Sequence, residues 1–268
     1  MVRRGASHAR THRRLANVPL IRHAAVVGRP PARCGARRCL RFCRWPIRFR
    51  PVSLFITFEG IEGCGKTTQA RLLADRLLAD HGVPDVVVTR EPGGTEVTRG
   101  IRALLADPGS KLDRHAELLL FLADRAQHVA SVIGPALARD AVVICDRYCD
   151  STLAYQGYGR GHDLAWLERL NAWASLDTVP DLTLWIDCEL ETGVRRAAKE
   201  TGGPGDRFES EPMDFHRRVR DGFVALHRAH PGRIARIDGD ASIEDVSRAV
   251  TAAVLERFEA AGPPGHAG

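Results

Sequence analysis

The sequence predicts a parallel α/β sheet covered by helices on both faces. Five short apolar runs alternate with segments of helical periodicity, the pattern of repeated β-α units. The runs are continuously apolar, as strands buried on both faces require. The chain has 268 residues, enough for one large core. No internal repeat and no second domain is visible.

In chain order, the strands are Leu54-Phe-Ile-Thr-Phe58, Val86-Val-Val-Thr89, Ala141-Val-Val-Ile-Cys145, Leu182-Thr-Leu-Trp-Ile186 and Ile234-Ala-Arg-Ile237. Helical patterns fill 66–81, 96–106, 113–139, 163–175, 189–199, 212–229 and 242–260. In such sheets ligands gather beyond the C-terminal strand ends, so the residues following each strand are the first to inspect. No stretch approaches the ~18 apolar residues of a spanning helix, which excludes a membrane partner of that kind.

The net charge of +6 is the sum of two unlike parts. Residues 1–50 hold fourteen Arg with no Lys, Asp or Glu, which leaves the rest of the chain at −8. The body is acidic behind a basic leader, so no nucleic-acid partner is expected for it. The leader is rich in Arg, Ala, Gly and Pro and has few apolar side chains to offset ordering entropy. With 36 Arg against 3 Lys in the whole chain, it reads as upstream sequence of a GC-rich genome translated from an early start. A transit-like segment and a nucleic-acid-binding arm are the open alternatives. The expected division is a leader over 1–51, a domain over 52–260 and a frayed tail over 261–268. Seven scattered Cys without a CxxC pair read as free thiols in a reducing, cytoplasmic setting.

Directly after the first strand comes Gly60-Ile-Glu-Gly-Cys-Gly-Lys66-Thr67, the G-x-x-x-x-G-K-[ST] phosphate cradle, followed at once by a helix. Glycines let backbone N–H groups curl around phosphates, and the helix N-terminus adds partial positive charge. Lys66 is placed to reach the β and γ phosphates and Thr67 to help hold Mg²⁺. The binding set for ATP is therefore Gly60, Ile61, Glu62, Gly63, Cys64, Gly65, Lys66, Thr67 and Thr68. The motif alone does not separate a kinase from a GTPase or a motor ATPase. No Asn-Lys-x-Asp base-reading motif occurs, and Asp146 is followed by Arg147 and Tyr148 rather than by a motor pattern.

Two further segments fall at strand ends: Thr89-Arg-Glu-Pro-Gly-Gly-Thr95 and Asp146-Arg-Tyr-Cys-Asp-Ser-Thr-Leu-Ala-Tyr-Gln-Gly-Tyr158. With Phe121-Leu-Ala-Asp-Arg125 and Phe58-Glu-Gly60, they make the stretch from about Leu54 to Arg257 resemble thymidylate kinase, the P-loop nucleoside-monophosphate kinase for dTMP. The resemblance implies a three-layer P-loop NTPase fold and Mg²⁺-assisted transfer from ATP to dTMP, giving dTDP. It implies that Phe121 stacks on thymine and Arg125 donates to its O4. A guanidinium offers only donors, so it suits a carbonyl and repels the amino group of cytosine. Arg147 is implied to bind the monophosphate, with Asp146 close to the phosphates and, with Thr67, to the metal. Arg90, Glu91 and Pro92 belong to a loop that holds the acceptor's sugar and phosphate. Glu62 is an acid near the 3′ hydroxyl or the metal. Ser151, Thr152, Tyr155 and Gln156 match the base and sugar contacts, Tyr155 standing where a ribose 2′ hydroxyl would clash.

The resemblance also implies a homodimer and a basic lid near 195–210. The cradle carries no Arg among its variable positions, so the lid must supply the cation for the transferring phosphoryl group, with Arg196 and Arg207 ahead of Arg195. The catalytic set is therefore Lys66, Arg147, Arg196 and Arg207. A kinase for a different monophosphate and a regulatory nucleotide switch are the alternatives. Deleting residues 1–51 is expected to leave folding and dTMP-dependent ADP release unchanged. Loss of the circular dichroism spectrum on deletion would make the leader structural.

Overall fold

The structure is a computed structural model describing residues 53–201 and 205–260. The expectations for 1–51 and 261–268, and for 202–204 of the lid, fall outside the described residues. The five strands form one parallel sheet. They are β1 (Leu54–Glu59), β2 (Val86–Arg90), β3 (Val142–Asp146), β4 (Leu182–Asp187) and β5 (Ile234–Asp238), in the order β2-β3-β1-β4-β5. β1 is central, so the loop that follows it opens in the middle of the sheet's C-terminal edge. The register sets Phe58 against Asp146 and Asp146 against Arg90, which brings three strand tips level.

Alternation along β1 divides the core. Leu54, Ile56 and Phe58 pack in a cluster with Leu73 and Leu77 of α1 (Lys66–Ala79) and Val246, Val250 and Val254 of α9 (Ile243–Ala260). Phe55 points the other way, with Val143, Cys145, Val129 and Ile133. The described cysteines Cys64, Cys145, Cys149 and Cys188 are free, as expected; Cys34, Cys39 and Cys43 lie outside the described residues.

Helix boundaries follow local chemistry. α2 (Arg99–Ala106) starts later than expected because Thr95 and Thr98 hydrogen-bond reciprocally through backbone and hydroxyl groups, closing a turn before it. The segment expected as one helix over 113–139 is broken into α3 (Arg114–His128), a π-helical stretch at Val129–Ile133 and α4 (Gly134–Leu137). Pro135 explains the break, since it has no amide to give and its ring collides with the preceding turn. Asp113 caps α3 by accepting from the His115 amide, and Asp163 caps α6 (Leu164–Ala174) by accepting from Trp166.

The segment after β3 is helical rather than a simple strand-end loop. It comprises α5 (Cys149–Thr152) and a π-helical turn, Leu153–Gly159. Wide turns of this kind cluster at functional sites, and this one buries Tyr155 and Gln156 beside the strand tips. It packs on α8 (Met213–Ala229), where Gly159 leaves room for the Phe215 ring. α7 (Leu190–Thr201) crosses above the loop after β1.

α5 is anchored beneath the sheet edge. Asp150 is 2% exposed and accepts from Arg233 Nη1 (2.7 Å), Arg233 Nη2 (2.8 Å) and Thr183 Oγ1 (3.0 Å). Removing the acid strands a largely buried guanidinium. Asp150→Ala is expected to lower unfolding free energy by about 3 kcal/mol, read from urea midpoints. A loss below about 1 kcal/mol would show the pair to be dispensable.

Candidate active site

The loop after β1 is shaped for backbone groups rather than side chains. Gly63 has φ 66°, and a Cβ there would lie 2.1 Å from the Gly193 carbonyl of α7. Only glycine allows that approach, so the loop and α7 touch backbone to backbone. Lys66 is nearly buried and folds back to donate to the Ile61 carbonyl at 2.6 Å. Thr67 Oγ1 donates to Asp146 Oδ2 at 2.5 Å. A hydroxyl and a carboxylate this close supply the hard oxygens that Mg²⁺ prefers. Among the described residues no group of three or more His, Cys, Asp or Glu could hold a metal ion alone.

Arg147 joins the loop to the tip of β3. Its backbone is left-handed, with φ 70°, and its amide donates to the Phe58 carbonyl at 2.9 Å. Its guanidinium donates to the Gly60 carbonyl (2.9 Å), Ser151 Oγ (3.1 Å) and Glu62 Oε1 (3.0 Å), and lies 4.9 Å from the centre of the Tyr155 ring. Tyr155 also donates to Glu62 Oε1, at 2.7 Å. Burial pushes the Glu62 carboxyl up, but Arg147 and Lys66 outweigh it and hold the group below its ordinary range.

A second network surrounds Arg125, which is 1% exposed. Nε and Nη2 both reach Glu91 Oε2 at 2.9 Å, and Nη1 donates to Thr152 Oγ1 (2.9 Å) and Asn171 Oδ1 (2.6 Å). Three of the five N–H donors are thus hydrogen-bonded inside the protein, and Nη2, ion-paired with Glu91, keeps a donor to offer. Glu91 also faces His128 Nδ1 at 3.0 Å, and His128 Nε2 lies 2.7 Å from Thr89 Oγ1. Glu91 therefore stands behind Arg125 as its support. The resemblance had implied a loop position against the acceptor's sugar and phosphate.

One cavity of about 230 Å³ connects these parts. It is lined by Glu62, Gly63, Lys66, Thr67, Arg90, Glu91, Pro92, Phe121, Arg125, Asp146, Arg147, Ser151, Thr152, Tyr155 and Gln156 of the expected set. Gly60, Ile61, Cys64, Gly65 and the exposed Thr68 belong to the loop or helix start but do not line it. Arg195, Arg196 and Arg207 do not line it either. Arg196 Nη1 donates to the Gly239 carbonyl at 2.9 Å, whereas Arg207 Nη1 pairs with Glu117 Oε2 at 2.6 Å and its Nε donates to Leu105 O at 3.0 Å. The expectation of either guanidinium beside the phosphate loop is thus not what this conformation shows. Glu117 is buried and attracts Arg207 and Arg160 together.

Sequence reasoning missed three residues. Arg102 lines the cavity and donates to the Pro92 carbonyl at 3.0 Å. Burial and the neighbouring Arg90 push its pKa down, as expected where guanidinium groups converge. Asn171 accepts from Arg125 directly from α6, and His128, one turn after Arg125 on α3, faces Glu91, the acid that holds Arg125. The available signal for His128 was a polar residue on the helical face that also bears Asp124 and Arg125.

Comparison with known proteins follows this geometry. A family model described as thymidylate kinase matches residues 58–250. A thymidylate kinase of Gloeobacter violaceus is 50% identical over 201 residues, covering 75% of this chain and 94% of that protein. One from Geobacter sulfurreducens is 50% identical over 209 residues, covering 76% and 97%. The crystal structure of thymidylate kinase from Ehrlichia chaffeensis superposes with a TM-score of 0.62 at 41% identity, covering 77% of this chain and 98% of the other.

Asp124 gives this site a pH signature. It accepts from the Gly93 amide at 2.7 Å, and burial together with Glu91 raises its pKa to about 6. The folded state then holds a proton that the unfolded state releases near 3.9, so stability falls as pH rises through that interval. Asp124→Asn, which stays neutral, is expected to raise the melting temperature at about pH 8 and not at about pH 4. Equal shifts at both pH values would exclude the titration.

Proposed function

The chain belongs to the thymidylate kinase family, and on that premise we propose how its residues divide the work. The reaction is transfer of the γ-phosphoryl group of ATP to dTMP, giving ADP and dTDP. The observation that carries the assignment of roles is the shared cavity, in which Lys66 lines one part and Phe121 and Arg125 another.

In this reading the domain spans 52–260, with the lid at 195–210. The cradle Gly60–Thr68 seats the triphosphate, and Lys66 exchanges the Ile61 carbonyl for phosphate oxygens. Phe121 stacks on the acceptor base. The free Nη2 hydrogen of Arg125 donates to the O4 carbonyl of thymine, its orientation fixed by Glu91, Thr152 and Asn171. Arg147, Arg90 and Arg102 hold the monophosphate, and Ser151, Tyr155 and Gln156 border the sugar and base. Thr67 and Asp146 would hold Mg²⁺, which neutralises charge on the β and γ oxygens. The acceptor oxygen is already anionic, so no general base is needed, and these residues act by alignment and charge. Arg196 and Arg207 reach the transferring group only if the lid closes away from Gly239 and Glu117.

Pairing into a homodimer is supported by an apolar face. Leu104 of α2, Leu119 of α3, and Trp166 and Trp173 of α6 are exposed on helices packed against one another. No helix among the described residues is long and apolar enough to cross a membrane. We place the enzyme in the cytoplasm, without a nucleic-acid partner.

Acceptor competition tests the reading. Measured by ADP release, kcat/KM for dTMP should exceed that for dCMP by at least about a thousandfold, and that for dUMP by roughly ten- to two-hundredfold. Equal use of dCMP would sink base reading by Arg125. Arg102→Ala should raise the KM for dTMP about tenfold and leave that for ATP unchanged. An unchanged dTMP KM would remove Arg102 from the phosphate site.

A further inference from the structure

The reading above gives no task to Glu59, the last residue of β1, which is fully buried. Its carboxyl spans Arg147. Oε1 accepts from the Tyr148 amide at 2.8 Å, one residue after Arg147, and Oε2 lies 2.5 Å from Ser151 Oγ, four residues after it. Ser151 Oγ in turn accepts from Arg147 Nη1 at 3.1 Å and lines the main cavity. Three groups thus converge on one hydroxyl: a carboxyl, a guanidinium and the cavity.

We propose that Glu59 is a positioning residue for the acceptor phosphate, setting the direction in which the Ser151 hydroxyl donates. This rests on the reading that the dTMP phosphate lies at Arg147. A hydroxyl has one hydrogen and two acceptor sites. When Glu59 is ionised, the Ser151 hydrogen is committed to Oε2, and Ser151 offers the cavity no donor. When Glu59 is protonated, its own O–H donates to Ser151 Oγ, which also accepts from Arg147. The Ser151 hydrogen is then released toward the cavity. Both hydrogen bonds of the carboxyl survive in either state, and only one reverses. The proton therefore costs the fold little while it changes what Ser151 presents. A phosphate, which only accepts when fully ionised, binds better to the donating form.

The surroundings keep this switch near neutrality. Burial, then Asp150, raises the Glu59 pKa to about 8, against opposing pulls from Ser151, Arg147 and the Tyr148 amide. Arg233 is paired with Asp150 and partly offsets it. The thiols of Cys145 and Cys149 are pushed up by burial and stay neutral in this range. Because the donating form carries the proton, dTMP binding takes up a proton, and affinity falls as pH rises through about 8. The second ionisation of the phosphate itself, near 6, lies below that window.

The test is the KM for dTMP and kcat at saturating ATP, from about pH 6.5 to about pH 9.5, for the wild type, Glu59→Gln and Ser151→Ala. Glutamine accepts from the Tyr148 amide and donates to Ser151, which mimics the protonated acid. Wild-type KM should stay level to about pH 7.5 and climb severalfold by about pH 9.5. Glu59→Gln should remain low and level, and Ser151→Ala raised and level. A level wild-type profile, or a Glu59→Gln profile that follows the wild type, overturns the proposal. Calorimetry of dTMP binding to the wild type at about pH 8, in two buffers of different ionisation enthalpy, needs no variant. Net proton uptake supports the switch, and none overturns it whether or not Glu59→Gln folds. If Arg102→Ala raises the dTMP KM while the pH profile is level, only the role of Glu59 fails. If Arg102→Ala leaves that KM unchanged as well, the placement of the phosphate fails with it.

Discussion

Arg147 occupies the junction between two halves of the site, and its unusual backbone is the constraint on which the rest turns. A left-handed arginine costs on the order of 1 kcal/mol relative to an ordinary conformation. The cost is offset because the turn brings the amide onto the Phe58 carbonyl and lets the guanidinium reach back to Gly60 and Glu62. One side chain thereby ties the loop after β1 to the helix after β3. Glu59, below it, closes the same turn from the other side through Tyr148 and Ser151. The central position of β1, beside β3, makes such a bridge possible, since it sets the two strand tips next to each other.

The charges of the cavity are balanced within the protein. Arg147 leans on Glu62 and Arg125 on Glu91, and outside the cavity lining Arg207 leans on Glu117. A buried guanidinium without a partner would be strongly destabilising, so each cation needs a local acid. The pairs differ in what a ligand can displace. Arg125 is held by Glu91, Thr152 and Asn171, so its orientation is fixed before any ligand arrives. Arg147 is shared among a carbonyl, a hydroxyl and a carboxylate, and a phosphate can replace the last of these. Rigid support suits discrimination between bases, while exchangeable partners suit an anion that must arrive and leave.

The sheet and the phosphate loop were legible in the sequence for physical reasons. Strands buried on both faces have to be continuously apolar, and a loop that wraps phosphate with backbone amides has to be rich in glycine. Phe121 and Arg125 were legible as a pair because residues four apart share a helix face. Arg102, His128 and Asn171 were not, because each acts through a contact made across the fold that no local spacing announces. The wide helical turns at 129–133 and 153–159 were hidden for a similar reason: apolar periodicity does not distinguish them from α-helix or loop. Glu91 lines the cavity, and the three-dimensional network adds what its motif does not carry: it also serves Arg125 and His128.

The lid illustrates how far composition reaches. A basic stretch with glycines names a set of candidate cations, but which of them meets a phosphate depends on the acids within reach. Glu117, on α3, collects Arg160, Arg207 and the Gln156 amide, so Arg207 is tied to the same helix that carries Phe121 and Arg125. Just before the stretch, Gly193 of α7 approaches Gly63 of the phosphate loop backbone to backbone. Gly193 thus meets the loop that bears Lys66, and Arg207 meets the helix that bears Phe121 and Arg125. In the proposed reading, where this stretch closes as a lid, that pair of contacts would couple closure to both halves of the cavity.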